Sequence, residues 1–300
     1  RFVMAIDGGS MEEEEYQDRS SGRIPFMEYL CARGLDHIDV IANTHIHEDH
    51  LCGLVPLPGQ WFPGEFWQAL PERLPRPLRP LPIFPEANPS QRKFLQSMND
   101  YRTLRMQIEA GGGVLRALSA GWEAHPCPGL AIRCLGPSQA RAEELAALYA
   151  DLNQEDDFAA FRRKLSALDG AMNNYSILLR LDYWGTRVLL PGDTNCLGYR
   201  EIAPEELAAQ IFKVGHHGQR DGADSALLEA IRPEAVVCCA SSDRRYHSAH
   251  PELIHLLSDT GASLWYSDCP QLPGLDLPPH QALVFHIGTE GAYTVEYESR

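Results

Sequence analysis

The sequence predicts an α/β protein built as a two-sheet sandwich, and three observations carry that expectation. Short apolar segments of strand length alternate with amphipathic segments of helical period along the chain. Apolar pairs such as "ILLRL…RVLL" and "ALVFHI…AYTVEY" are joined by turn residues as antiparallel hairpins, so the sheets cannot be wholly parallel. A chain of 300 residues, 44% hydrophobic and 22% charged, can bury a large core. With no repeat and no linker, residues 1–300 read as a single domain.

The elements follow in order. "RFVMAIDGG" is a strand running into a Gly-Gly turn, so the chain reads as beginning inside a domain. An acidic loop and a helix from about Ile24 to Ala32 come next, with Gly34 in the capping position. "HIDVIANT" is an apolar strand. From Val55 to Pro89, prolines interleaved with Trp61, Phe62, Phe66, Trp67 and Phe84 leave no room for a regular helix or central strand. With the helix "SQRKFLQSMNDYRTLRMQIEA" this makes an expected Pro/aromatic-rich insertion at about 55–112. "GLAIRCLGPS" is a strand, and the helices "SQARAEELAALYADL" and "DDFAAFRRKLSAL" form a second insertion at about 138–168. Then come the hairpin around Tyr183-Trp184-Gly185, "EELAAQ" (helix), "IFKVGHHG" (strand and loop), "DSALLEAI" (helix), "EAVVCCA" (strand), "PELIHLLSDTG" (helix), "SLWYSD" and the closing hairpin.

Bulk properties exclude some functions. The net charge of −15, from 26 basic and 41 acidic residues, argues against a general nucleic-acid coat. It does not exclude a nuclease, because a metal centre brings its own positive charge. The acidic runs "MEEEEYQD" and "NQEDDF" read as solvated faces. No apolar run approaches the ~20 residues of a membrane span. The eight cysteines show no metal or framework spacing and no secretory signal precedes them, which suggests free thiols in a reducing cytoplasm.

The chemistry concentrates in "THIHEDH". His45 and His47 stand two apart at a strand end, so both project from one face and can share an ion. Asp49 and His50 follow the strand and can reach a second ion. Imidazole with carboxylate suits zinc, and also manganese or iron. The helical HExxH reading fails on spacing. Glu48, between the ligands, is expected to face solvent. His37, His255, His280 and His286 carry no motif and read as structural.

The HxHxDH pattern resembles the signature of the metallo-β-lactamase superfamily. The "IDGG" turn at Asp7, the hairpin ending "LLPGD" and the later His-bearing loops occur in that family's order. The resemblance implies a four-layer αββα sandwich, two mixed sheets flanked by helices. It implies two divalent ions, Zn or Mn, bridged by Asp193, and hydrolysis by a metal-bound hydroxide. "NNYS" before the hairpin, "FKVGHHG", "HP" before a helix and "LWYSD" are similar to the ComEC-type soluble domain of competence proteins. That subgroup implies a phosphodiester substrate, nucleic acid or nucleotide. Gln219 and Ala249 depart from its HHGS and GHP motifs, which puts the substrate in question.

Asn173 and Asn174 stand where most superfamily members carry a third histidine for the first metal. An amide oxygen there favours a harder ion such as manganese or leaves the first site weak, and His125 precedes the wrong strand to replace it. His216, His217 and His250 compete for the remaining ligand position. His216, directly off the strand, is the first choice. His217 could bind phosphate or donate a proton, and His250 could close the site. The expected catalytic groups are Asp49, Asp193, His217 and His250. Lys213 and Arg220 flank the loop and could contact phosphate, but as exposed charges they read first as solvated. Two other functions fit the same residues: hydrolysis of a thioester, lactone or other small ester in a pocket walled by the insertion, or a non-catalytic metal-binding module of a larger assembly.

Overall fold

The computed structural model describes residues 1–241 and 247–299. They group into two compact units with interleaved chain segments. The first comprises residues 1–15, 25–119 and 137–177; the second comprises residues 16–24, 120–136 and those from Leu178 onward.

In the first unit, β1 (Met4–Ile6), β2 (Val40–Ala42), β3 (Glu65–Gln68) and β4 (Val114–Ala117) form a parallel sheet in that order. β2 is buried at every position, as expected of an interior parallel strand covered on both faces. The helices are α1 (Phe26–Ala32), α2 (Glu48–Leu51), α3 (Leu57–Gln60), α4 (Pro89–Ala110), α5 (Gln139–Gln154) and α6 (Phe158–Ala171). Asn88 caps α4 in a reciprocal pair with Gln91, and Pro89 occupies its first turn. Phe94, Leu95, Met98, Tyr101, Leu104 and Ile108 recur at helical spacing on the buried face. The helix stops at Gly111, followed by Gly112 at φ 81°. Ser138 and Asp157 cap α5 and α6.

The segment expected to lack regular structure supplies β3, an interior strand between β2 and β4, and the short α3. Prolines pause between Pro63 and Pro71, and the proline-free "EFWQ" keeps the amide donors a ladder needs. From Pro71 to Pro89 the expectation of irregular chain holds, and the structure shows how it is fixed. Prolines donate no hydrogen bonds, so side chains satisfy the carbonyls. Arg105 donates to Pro71 O (3.0 Å) and Glu72 O (2.7 Å), Arg102 to Leu78 O (2.9 Å), and Arg92 to Pro85 O (2.6 Å) and Ala87 O (2.8 Å). Asn99 bonds both backbone groups of Leu81, and Asn153 both of Arg79, as a neighbouring strand would.

The second unit holds a seven-stranded mixed sheet of β5 (Glu123–Cys127), β6 (Leu130–Gly136), β7 (Leu178–Tyr183), β8 (Thr186–Leu190), β9 (Ile211–Lys213), β10 (Ala235–Cys238) and β11 (Ser263–Tyr266). Neighbours are antiparallel from β5 to β8 and parallel from β8 to β11. α7 (Pro204–Leu207), α8 (Ser225–Ile231) and α9 (Pro251–Asp259) accompany it, and β12 (Ala282–Ile287) pairs with β13 (Tyr293–Glu298) as the closing hairpin. Leu189, Phe212, Val214, Val236, Leu253 and Leu257 are central to its core, each contributing roughly 1.5–3 kcal/mol by burial. β5 was not anticipated. His125 lies within it rather than before a strand, and pairs with Glu123 at 2.9 Å.

The fold class is therefore the expected one: α/β, with two sheets flanked by helices, the second of them mixed and the first wholly parallel. All eight cysteines are free. Among the described residues no helix is long and apolar enough to cross a membrane.

Candidate metal centre

The first unit gathers the histidines. β2 ends at Ala42, and Asn43 to His47 lead into α2, with His47 extended at its N-cap. His45 Nε2 lies 3.0 Å from His47 Nδ1, so the pair turns these nitrogens toward one point. His45 and His50 are buried with ring centroids 4.2 Å apart, and the His47 ring meets Phe94 edge-on. Asp49 is half-buried in the first turn of α2.

Asp7, at the end of β1 with φ 56°, orients this group. Its carboxylate accepts from Thr44 N (2.7 Å) and Thr44 Oγ1 (2.7 Å), and lies 2.7 Å from His50 Nδ1. That contact commits Nδ1 to the carboxylate, so Nε2 is the nitrogen that could ligate an ion. The close approach that makes it possible depends on glycine. A Cβ on Gly53 would stand 1.9 Å from Gly8 O, so a side chain there would push the Asp7 turn off α2. His47 Nε2 approaches Asp169 Oδ1 at 3.3 Å, and Asp169 is in turn held by Ser90.

Glu48 does not face solvent as expected. It is half-buried and accepts from Ser10 Oγ and from Met11 N (3.3 Å), tying the first loop to α2. Burial raises its carboxyl pKa, and Asp49, Glu12 and Glu15 add to the rise against the Ser10 bond. Asn173 and Asn174 lie in the 3-10 turn Met172–Tyr175 after α6. Asn173 Oδ1 is buried with no hydrogen-bond partner among the described residues.

The second unit gathers the carboxylate. β8 ends at Leu190, and Pro191-Gly192 turn the chain so that Asp193 is buried at 3% exposure. Gly215 permits the facing loop to close in, since a Cβ there would stand 2.2 Å from Thr194 O. His217 Nε2 lies 3.1 Å from Asp193 Oδ2, and its Nδ1 lies 2.9 Å from Cys239 O. Both ring nitrogens thus face acceptors. A carbonyl takes the Nδ1 proton, so the contact with Asp193 calls for a proton or a cation at Nε2.

The sequence favoured His216 for this place, but the structure brings His217 to Asp193. Both residues have left-handed backbone, at φ 49° and 51°, and His216 turns to a different carboxylate. His216 Nδ1 lies 2.8 Å from Asp221 Oδ1, and this bond lowers the Asp221 pKa. His250 caps α9: its Nδ1 accepts from Glu252 N (3.3 Å), which puts its proton on Nε2. Ala249 N bonds His217 O at 3.1 Å and His250 N bonds Gly218 O at 2.8 Å, joining the two loops. Cys238 lies behind His217, and burial pushes its thiol up to about 12, so it is inert at neutral pH.

Imidazole nitrogen and carboxylate oxygen are donor types that suit a divalent ion. Each unit presents imidazole nitrogen and carboxylate oxygen from strand ends, where open α/β sheets build their sites. Fold and donor set together define an α/β metallohydrolase. The chain belongs to the metallo-β-lactamase superfamily, whose sequence pattern matches residues 6–242. It is also 29% identical over 87 residues to ComE operon protein 3 of Bacillus subtilis (strain 168), a match covering 28% of this chain and 11% of that protein. Among solved structures it is similar to Igni18, a metallo hydrolase of Ignicoccus hospitalis KIN4/I, with 12% identity, TM-score 0.42, and 86% and 79% of the two chains covered. It is also similar to Zn(2+)-bound PqqB of Methylobacterium extorquens, with 12% identity, TM-score 0.41, and 76% and 71% covered.

Asp7, Thr44, Gly53 and Asp169 escaped the sequence reading as functional positions. The one signal was a carboxylate following the first strand in "IDGG".

Proposed function

We propose that the chain is a metal-dependent phosphodiesterase of the ComEC-like type that works with a pair of divalent ions. The observation that carries this reading is the His217–Asp193 contact, in which an imidazole with its other nitrogen on a carbonyl faces a buried carboxylate at 3.1 Å. The residues fit a metal pair: His45, His47 and Asn173 would hold one ion, Asp49, His50 and His217 the other, and Asp193 both. Bound there, the cations would lower the pKa of a water and offset phosphate charge.

The chain's own groups do the rest. Asp7 keeps the His50 ring in one orientation. Asp49 takes the proton from the attacking water. His250, with its proton on Nε2, donates to the leaving oxygen. His216 has no ligand role in this scheme. The buried amide oxygen of Asn173 favours manganese over zinc. The phosphodiester class is supported by "NNYS", "FKVGHHG" and the local similarity to ComE operon protein 3. Because this chain spans 11% of that protein, nothing of its wider role is carried over. The free thiols fit a reducing compartment such as the cytoplasm.

The test is a panel of Mn2+ and Zn2+ against single-stranded DNA, a cyclic dinucleotide and an acyl thioester. Metal-dependent cleavage of a phosphodiester is the expected result. Cleavage of the thioester alone would move the assignment to an ester hydrolase. Metal binding with no turnover of any member would favour a non-catalytic module.

A further inference from the structure

Lys213 closes β9, and its side chain is 19% exposed. The ammonium turns inward: Nζ donates to Gly192 O at 3.1 Å, approaches Val214 O at 3.4 Å, and lies 3.9 Å from Asp193 Oδ1. The two carbonyls belong to different segments. Gly192 directly precedes Asp193, and Val214 leads into the loop that carries His217. β8 and β9 pair in parallel only as far as Leu189↔Phe212, so beyond that point the ladder no longer ties the two ends together. At that point the ammonium bonds the Gly192 carbonyl from the end of β9 and sets a positive charge beside a buried carboxylate, which would otherwise be costly to keep ionised. The expectation of a solvated lysine does not describe this geometry.

We propose that Lys213 is a positioning residue that holds the Asp193 turn against β9 and, as a fixed positive charge on the same carboxylate, lowers the site's affinity for its cation. This rests on the reading of Asp193 as a metal ligand. A cation arriving at Asp193 meets the repulsion of the ammonium, which is strong where water is largely excluded. Removing the charge therefore acts in opposite directions on two measurements. It weakens the fold of the metal-stripped protein, because two carbonyls lose a donor and a carboxylate loses its counter-charge. It tightens metal binding. A lysine that only packs would not tighten metal binding when removed, and one that only contacts phosphate would change KM and leave metal affinity alone.

The experiment measures Mn2+ binding by calorimetry and thermal unfolding of the metal-stripped protein, for the wild type and for Lys213→Met, Lys213→Gln and Lys213→Arg. Met and Gln are expected to bind Mn2+ at least about tenfold tighter than wild type. Both should unfold at lower temperature without metal, Gln less so because it keeps a donor. Arg, which keeps both charge and donors, should restore both properties to within about threefold and a few degrees. Should the Met protein fail to fold, the Gln protein carries the test. Mn2+ affinity unchanged or weakened in the uncharged variants, with wild type binding normally, would overturn the role of Lys213 alone. A wild type that binds no Mn2+ would overturn it together with the ligand reading.

Discussion

In the first unit a short helical turn orders most of the candidate imidazoles: His45 lies in the bend after β2, His47 is the N-cap of α2, His50 sits on α2, and Asp7, at φ 56°, clamps the His50 ring. In the second unit the corresponding groups stand on irregular backbone. His216, His217 and Ala249 all have positive φ, and Asp193 follows Gly192 at φ 59°. The first arrangement follows from the short connection between β2 and α2, after which one helical turn brings His50 round. The second follows from a few left-handed residues, each costing about 1 kcal/mol for a non-glycine side chain and tolerated where the surroundings hold them. The first group is positioned mainly by a short helical turn, the second by left-handed backbone.

Substitutions can break or sharpen this contrast. Removing a donor from either group should cost most. His47→Ala and Asp193→Ala are each expected to lower hydrolysis by about a thousandfold or more, read from initial rates at saturating metal. Next comes the choice between adjacent histidines. His217→Ala should cost at least about a hundredfold in rate and His216→Ala less than about tenfold, although their spacing from the strand is nearly equal. Equal losses would erase the assignment drawn from the left-handed turn.

Asp7→Asn should weaken metal binding by about 10–100-fold, since the amide holds the His50 ring less firmly. Titration with Mn2+ followed by electron paramagnetic resonance would read this. A stability effect comes from Ala249, fully buried at φ 49°. Ala249→Gly relieves the left-handed strain and should stabilise by about 0.5–1 kcal/mol, a rise of roughly 1–3 °C in Tm.

The smallest expected effect concerns Glu48. An acid whose pKa is raised on folding opposes stability above its folded pKa, and that penalty fades as pH falls through the raised value. Glu48→Gln should therefore raise Tm at pH 7 and lose the advantage toward pH 4. A gain that persists at low pH would show that charge is not its cause.

Much of the fold could be read directly from residue patterns. Strand and helix alternation placed β7, β8, α5, α6 and α9, and the HxHxDH run placed the first-unit donors. β3 was hidden because prolines on both sides masked four residues with intact amide donors. The anchoring of residues 71–89 was hidden because an arginine on α4 gives no local sign that it will meet a carbonyl many residues away. His216 was ranked ahead of His217 as a ligand because side-chain direction there depends on the sign of φ, which neighbouring residue types do not reveal. Glu48 was assigned to solvent because it falls between ligands, yet Ser10 and Met11 are brought to it from the first loop.

The central claim is that the chain holds a pair of divalent ions and that Asp193 and His217 are among their ligands. The most direct measurement is anomalous X-ray scattering from a crystal grown with Mn2+. The account predicts two manganese peaks, Asp193 bound to both, and His217 rather than His216 among the ligands. A single peak, or two peaks with Asp193 bound to neither, would contradict it.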